Sequence, residues 1–276
     1  MQEILNLDPE KYVTLTEFEH QFTNIANILL NEVILDINGK AHRIAEIEFY
    51  LQHNNHNDTF AHCDAQQLTH GQWYFHKTGN SYRGGTYKGL DITFSKTGYS
   101  GILIRALYDM QNNKYIDGPS LSVDHLLNQC NVSDIISLTK LDNFSWDVDE
   151  GIIAFKFVEL EKKILYTSGR IGLNLKTETH IKFAMKPYRF MIYPEKVKKG
   201  KQHLILELYY QGKSSEEITN ITSTNKKNVN TYISHYENSK NSLTDAKSYY
   251  GTVSKLSSKD FCKYYQVVRK EANLHV

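Results

Sequence analysis

From Glu46 to Leu51 the stretch Arg43-Ile44-Ala45-Glu46-Ile47-Glu48-Phe49-Tyr50-Leu51 alternates between polar and apolar side chains. A strand sends successive side chains to opposite faces, so Ile47, Phe49 and Leu51 share one side while Glu46, Glu48 and Tyr50 share the other. The apolar side builds a core. Two carboxylates and a phenol in one row have no packing purpose, and they suit a cleft in which water or a substrate is handled.

The rest of the chain agrees with a strand-rich first part. Residues 14 to 32 read as a helix, capped at Thr14 or Thr16, with Phe18, Phe22, Ile25, Ile28 and Leu29 at helical spacing. Strand patterns then run from about 33 to 107, broken by the polar loop 52 to 59 and the glycine-bearing stretch 79 to 89. Gly118-Pro119-Ser120 is a turn whose serine can cap a short helix through Leu127, and a second strand-rich block follows near 151 to 193. Strands before and after helices, without regular alternation, indicate an α+β fold with a curved, mostly antiparallel sheet and flanking helices. At 276 residues, 40% of them apolar, the chain is long enough to bury a full core.

Charge divides the chain unevenly. Residues 196 to 276 carry 14 Lys and Arg against 7 Asp and Glu, a net of +7, whereas the remainder carries 18 against 24, a net of −6. Basic charge gathered in one segment fits either a polyanion partner or a solvated lysine-rich surface. Helical periodicity begins at the same point, so the sequence predicts an α+β domain over 1–195 and a basic helical subdomain over 196–276. Leu204, Ile205 and Leu208 mark one helix, ended by Gln211-Gly212; Ser214-Ser215-Glu216-Glu217 is a capping box for the next. Thr222-Ser223-Thr224-Asn225 is a short turn before a third helix bearing Val229, Tyr232 and Ile233. That spacing resembles a helix-turn-helix, in which Lys226, Lys227, Asn228 and Asn230 stand near the start of the recognition helix; the plain alternative is a helical subdomain that only packs. A last helix covers about 258 to 271.

Three separated cysteines, Cys63, Cys130 and Cys262, fit a reducing compartment better than a disulfide framework. No basic-then-apolar leader opens the chain, and no apolar run reaches the length of a membrane span. The expectation is therefore a cytoplasmic protein, or a nuclear one if its source has a nucleus, with no membrane partner.

Between about 40 and 193 a series of short motifs stands in a recognisable order. They are Arg43-Ile44-Ala45-Glu46-Ile47-Glu48-Phe49-Tyr50, Ala61-His62, Phe75-His76-Lys77-Thr78-Gly79 and Gly89-Leu90-Asp91-Ile92, then Leu103-Ile104-Arg105-Ala106-Leu107, Gly118-Pro119-Ser120, Arg170-Ile171-Gly172 and Lys186-Pro187-Tyr188-Arg189-Phe190. This order resembles the alkyladenine (3-methyladenine) DNA glycosylase family. The resemblance implies that Glu48 deprotonates a water for attack on C1′ of the sugar, that Tyr50 and His62 enclose a flipped base, and that Arg105 lines the same site near the backbone. Physical chemistry agrees with those roles. Cleavage of an N-glycosidic bond builds oxocarbenium character that a carboxylate stabilises while it aligns water, and a guanidinium suits a phosphate.

The departures from that family matter too. Its gatekeeper asparagine corresponds to Asp91, an acceptor where the family has a mixed donor and acceptor. The family's Thr-Pro-Arg-Asn-like loop reads Gln66-Gln67-Leu68-Thr69-His70-Gly71-Gln72, and its wedge hairpin is shortened to Tyr82-Arg83-Gly84-Gly85-Thr86-Tyr87. Tyr82, Arg83 and Lys88 are the candidate nucleic-acid contacts of this hairpin, together with Lys226 and Lys227 in the helical segment. Tyr74 and Phe75, in Trp73-Tyr74-Phe75-His76, pack in a core or wall a base pocket, since aromatic faces hold bases by stacking.

Several other chemistries find little support. His53, His56, His62 and Cys63 match no closed zinc site, and the paired motifs of zinc deaminases are absent. Ser122-Val123-Asp124-His125 is contiguous in a helix and builds no catalytic triad. Lys156 is the best of a poor set of lysine nucleophiles. For Arg105 the plain reading is a structural salt bridge, and for Glu46 it is pairing with Arg43 or Lys40.

The expected protein is a monofunctional DNA N-glycosylase that needs neither metal nor organic cofactor. Glu48 and Arg105 serve catalysis, and Tyr50, His62, Tyr74, Phe75 and Asp91 bind the base of a double- or single-stranded DNA. The rival expectation is a nucleic-acid-binding reader with a non-catalytic base pocket.

Overall fold

Thr14 opens the first helix, α1 (Leu15–Asn31): its side chain accepts from the Glu17 backbone N–H, and the Glu17 carboxylate accepts from the Thr14 N–H, a capping box. Phe18, Phe22, Ile25, Ala26 and Leu29 form the buried face. The computed structural model describes residues 1–239 and 245–273. They divide into two compact units, the first made of 1–57, 61–165 and 190–192, the second of 58–60, 166–189 and the described residues from 193 onward. The charge step at Lys196 lies inside the second unit, which also takes in Tyr166–Arg189.

The first unit is built on an antiparallel sheet. Its strands are β1 (Val33–Ile37), β2 (Lys40–His53), β3 (His56–Asn57), β4 (His70–Phe75), β5 (Lys77–Thr78), β6 (Ser81–Tyr82), β7 (Leu90–Phe94), β8 (Tyr99–Asp109), β9 (Lys114–Asp117) and β10 (Ile153–Phe157). The order in space is β10–β1–β2–β8–β7–β4, with every pairing on this path antiparallel; β3 adds to β2, β9 adds to β8, and β5 and β6 form a separate hairpin. Trp73 of β4 donates its indole N–H to the Ile153 carbonyl (3.3 Å) and packs on Phe155, so the ends of the sheet curve toward each other without pairing. The fold is α+β, as the mixture of strand and helix patterns suggested.

Alternation in β2 is realised in full. Ile47, Phe49 and Leu51 are wholly buried, and Phe49 stacks on Phe22 of α1 at 4.6 Å, edge-on to Phe94 and Phe190. This aromatic cluster joins α1 to the sheet. Aromatic pairs in such geometries contribute beyond the area they bury.

Three local expectations need correction. Ser120 does not cap the helix α2 (Pro119–Gln129): Gly118, at φ 127°, takes the cap position, Pro119 fills the first turn where a missing N–H costs nothing, and the Ser120 hydroxyl donates to the Gly85 carbonyl. Arg43 does not pair with Glu46. It is buried and donates to the Leu30 carbonyl and the Asn31 side chain. The strand-rich block near 151 to 193 holds strand only at its ends and briefly between them, with β10, β11 (Tyr166–Ser168) and β12 (Arg189–Met191), and a helix intervenes. A second short helix of the first unit, α3 (Ile135–Leu138), is capped by Asp134.

In the second unit α4 (Glu178–Ala184) precedes four helices, α5 (Lys201–Tyr210), α6 (Ser215–Thr222), α7 (Lys226–Ser239) and α8 (Ser258–Asn273). Two buried ion pairs organise it. Arg170 is held by Asp58 at 2.5 and 3.1 Å, donates to the Phe183 carbonyl, and lies against the rings of Phe60 and Tyr188; Glu207 accepts from Arg269 and from the Tyr265 hydroxyl. Among the described residues no helix is long and apolar enough to cross a membrane.

Replacing Phe49 by Ala should lower stability by about 3–5 kcal/mol, because a large buried ring leaves a cavity that the cluster cannot close. Chemical denaturation checks this. A loss below about 1 kcal/mol would contradict the central place given to the Phe22–Phe49–Phe94–Phe190 cluster.

Candidate active site

Residues directly opposed on neighbouring strands project to the same face. Tyr74 stands opposite Asp91, Asp91 opposite Leu103, and Leu103 opposite Glu48, which makes one row across β4, β7, β8 and β2. One step along, Trp73, Ile92, Ile102 and Phe49 make the matching row of the other face, and all four are buried. The first row is polar apart from Leu103 and the second is apolar, and both are buried.

At one end of the polar row lies a buried guanidinium. Arg105 donates through Nε to Glu46 (2.7 Å) and through an Nη to Glu48 (3.2 Å), and the Tyr50 hydroxyl donates to the same Glu48 oxygen at 2.8 Å. Glu46, Glu48 and Arg105 are all nearly inaccessible. Burial works against the charged guanidinium, but Glu48 and Glu46 outweigh it and raise the Arg105 pKa further. These are the contacts of the plain reading of Arg105, a structural salt bridge under the sheet.

The backbone beside this clamp is irregular. Ile44 pairs with Leu107, Glu46 with Ala106 and Ile47 with Ile104, so Ala45 is an extra residue in β2 and Arg105 an extra residue in β8. Such bulges re-aim a side chain. The offset kept on either side of the bulges would itself set Arg105 opposite Glu46, two residues from Leu103 on the Glu48 face, so alternation already places the guanidinium beside both acids.

At the other end of the row Asp91 is almost wholly buried and accepts from His76 Nε2 at 2.7 Å. Two glycines make room for the pair. A Cβ on Gly101, which stands opposite Tyr50, would come within 2.5 Å of the Asp91 carboxylate, and a Cβ on Gly89 within 2.5 Å of the His76 ring. His62 packs edge-on to His76 (4.3 Å between ring centres) and near Tyr74 (6.3 Å), with Arg83 3.5 Å from its Nε2. Burial, together with Asp64 and Asp91, raises the pKa of the Tyr74 hydroxyl, which therefore stays protonated.

Not every candidate joins this face. Phe75 stands opposite Leu90, on the same side as the core row, and packs against Tyr82 and Trp146, so alternation separates it from Tyr74. Lys88 is paired with Asp124 at 2.8 Å. Tyr82 lies in the β5–β6 hairpin under the Lys77 ammonium, and Arg83 is tied to the Lys77 carbonyl and the Thr78 hydroxyl. Lys156 is ion-paired with Asp36. The four residues His53, His56, His62 and Cys63 do not converge: His53 contacts Glu10, and His56 bonds to the Leu51 carbonyl between Phe18 and Phe22. The pairing of His76, a member of the aromatic run 73 to 76, with Asp91, and the close approach of Asp91 to Gly101, are what sequence reasoning missed. A signal for the first was present, since His76 follows Tyr74 by two residues.

In the second unit, α6 is capped by Ser214 and Glu217, and a turn of three residues, Ser223 to Asn225, leads into α7. Ser223 adopts a left-handed backbone (φ 52°), and Lys201 donates to the Thr222 carbonyl at 2.7 Å. Val229 and Tyr236 are buried beneath α7, while Lys226, Lys227, Asn228, Asn230, Thr231 and Ser234 are exposed. The outward side of this helix is polar and bears no acid among those residues. Gly212, at φ 87°, ends α5: its N–H reaches the Tyr209 carbonyl and that of Lys213 the Leu208 carbonyl.

Partial burial against its neighbours, then the nearby His76, push the His62 pKa down to about 4, although the residue is exposed and water offsets part of the shift. A histidine held below its unfolded value of about 6.5 binds fewer protons folded than unfolded. Its share of stability is therefore complete above that value and is lost as pH falls toward 4. A ring-proton titration by NMR should place the His62 midpoint well below that of a free histidine, and a midpoint at or above the free value would refute the packing described.

No family model matches the chain. A relative does: an uncharacterized protein of Acanthamoeba polyphaga mimivirus is 36% identical over 217 residues, which cover 72% of this chain and 97% of that protein. The chain belongs to the same family as this mimivirus protein.

Proposed function

We propose that the protein is a hydrolase that removes a damaged or modified base from DNA, with Glu48 aligning and deprotonating the attacking water. The observation that carries this reading is the polar row itself, with an acid clamped by Arg105 and Tyr50 at one end and a hydrogen-bonding, ring-lined group at the other. Glu48 takes the proton of water and its charge offsets the oxocarbenium character that grows on the sugar. Tyr50, two residues along the same face, offers its ring to the base. Asp91, His76, His62 and Tyr74 present an acceptor, imidazoles and a phenol that read a base edge, and the motif order shared with alkyladenine DNA glycosylases supports the same assignment. Flipping a base out of a duplex costs a few kcal/mol and least for lesions that pair badly, so selection begins before the bond is broken. A reaction of this kind belongs in the cytoplasm or in a nucleus, where DNA is met.

Incubation with oligonucleotides that carry methylated, deaminated and bulky-modified bases, followed by alkali, should reveal abasic sites for at least one lesion. Glu48→Gln should reduce that turnover by at least about 100-fold while binding persists, because a general base is removed and the shape kept. Cleavage unchanged by this substitution would remove Glu48 from the mechanism.

The alternative reading, a nucleic-acid reader, is favoured by one observation, the helix, three-residue turn and helix of α6 and α7 with an exposed polar side. In this reading α7 meets the duplex and the sheet pocket holds a base without excising it. Lys226→Ala with Lys227→Ala should weaken DNA binding and lower the slope of log affinity against log salt by about two. An unchanged slope would show that these lysines meet no phosphate.

A further inference from the structure

We propose that His42, Asp109 and His125 form a binding site for a first-row divalent cation of the zinc class, remote from Glu48 and independent of the hydrolase reading. Among the described residues these three bring one ligand atom each within 4.8 Å of one another. His42 and Asp109 face each other directly across β2 and β8, and His125 comes from α2, which packs on β8 and β9. The Nε2 atoms of the two histidines are 2.9 Å apart, and the Asp109 Oδ2 lies 3.8 Å from His125 Nε2.

Bond lengths of about 2.0–2.2 Å at near-tetrahedral angles would hold such atoms about 3.3 Å apart, so a small adjustment of each side chain admits an ion. Three ligands on three different regular elements leave at least one position open to solvent, which the partly exposed edge of His125 reaches. Two imidazoles with one carboxylate favour a borderline metal over calcium or magnesium, which prefer oxygen.

The outer contacts are those of a ligand set already oriented. His42 Nδ1 lies 2.9 Å from the Lys40 carbonyl, which can only accept, so the proton sits on Nδ1 and the Nε2 lone pair is directed at His125. Asp109 is fixed by the backbone N–H groups of Gln111 and Asn112 and by the Asn112 amide, at 3.0, 3.0 and 2.8 Å. Gln129 Nε2, 3.5 Å from His125 Nε2, has to turn aside when the ion enters. Without an ion the two imidazoles are left sharing one proton between facing nitrogens. With one, both lone pairs and the carboxylate are used.

Full-length protein stripped with a chelator and dialysed should take up one Zn2+ per chain by calorimetric titration. In the wild type, NMR should show the side-chain signals of His42 and His125, and of no other histidine, shifting on uptake. His125→Gln, on a partly exposed helix position, and Asp109→Asn, which keeps the shape of the side chain, should each weaken uptake at least about tenfold, and Zn2+ should raise the melting temperature of the wild type but of neither variant. No stoichiometric uptake by the wild type, or uptake equally strong in both variants, or shifts at other histidines, would overturn the assignment and leave a hydrogen-bonded histidine pair. Neither outcome depends on any excision activity, so failure here and failure of the hydrolase reading are distinguishable.

Discussion

Arg105 is the charge on which the polar face of the sheet depends. Two carboxylates, Glu46 and Glu48, sit almost without solvent two positions apart on one strand, and the guanidinium between them offsets much of that cost. Removing one partner of a buried ion pair costs roughly 3–5 kcal/mol, mostly because the group left behind stays uncompensated. The same clamp fixes the direction of the Glu48 carboxylate. In the proposed hydrolysis this would help Glu48 to aim a water, because a side chain locked by two donors wanders less than one facing solvent.

The opposite end of the row solves a similar problem by different means. Asp91 has His76 as its partner instead of an arginine, and the space around it comes from residues without side chains, Gly101 and Gly89. A carboxylate there accepts hydrogen bonds and donates none while ionised. In this it differs from an asparagine, which would both accept and donate.

Much of this was legible in the sequence, and the reasons differ from residue to residue. Period-two alternation told the two faces of β2 apart, and capping residues located α1, α6 and the glycine end of α5, because those signals are local. The partner of Glu46 was not legible: Arg43 lies nearer in sequence, but it is taken up by Leu30 and Asn31, and Arg105 lies on a distant strand whose pairing with β2 no propensity encodes. Phe75 was grouped with Tyr74 as one aromatic cluster, although the same alternation that worked for β2 sends it to the core. His42, Asp109 and His125 are far apart in the chain, and only strand pairing and helix packing assemble them.

The compensating bulges of β2 and β8 carry a further consequence. On either side of them the strands keep one common offset, with His42 facing Asp109 before the irregularity and Glu48 facing Leu103 after it. Ala45 and Arg105 thus act as a matched insertion, one residue in each strand. Evolutionary loss of either alone would slide one half of the ladder against the other and turn a carboxylate inward, so such a change can survive only when both are lost together.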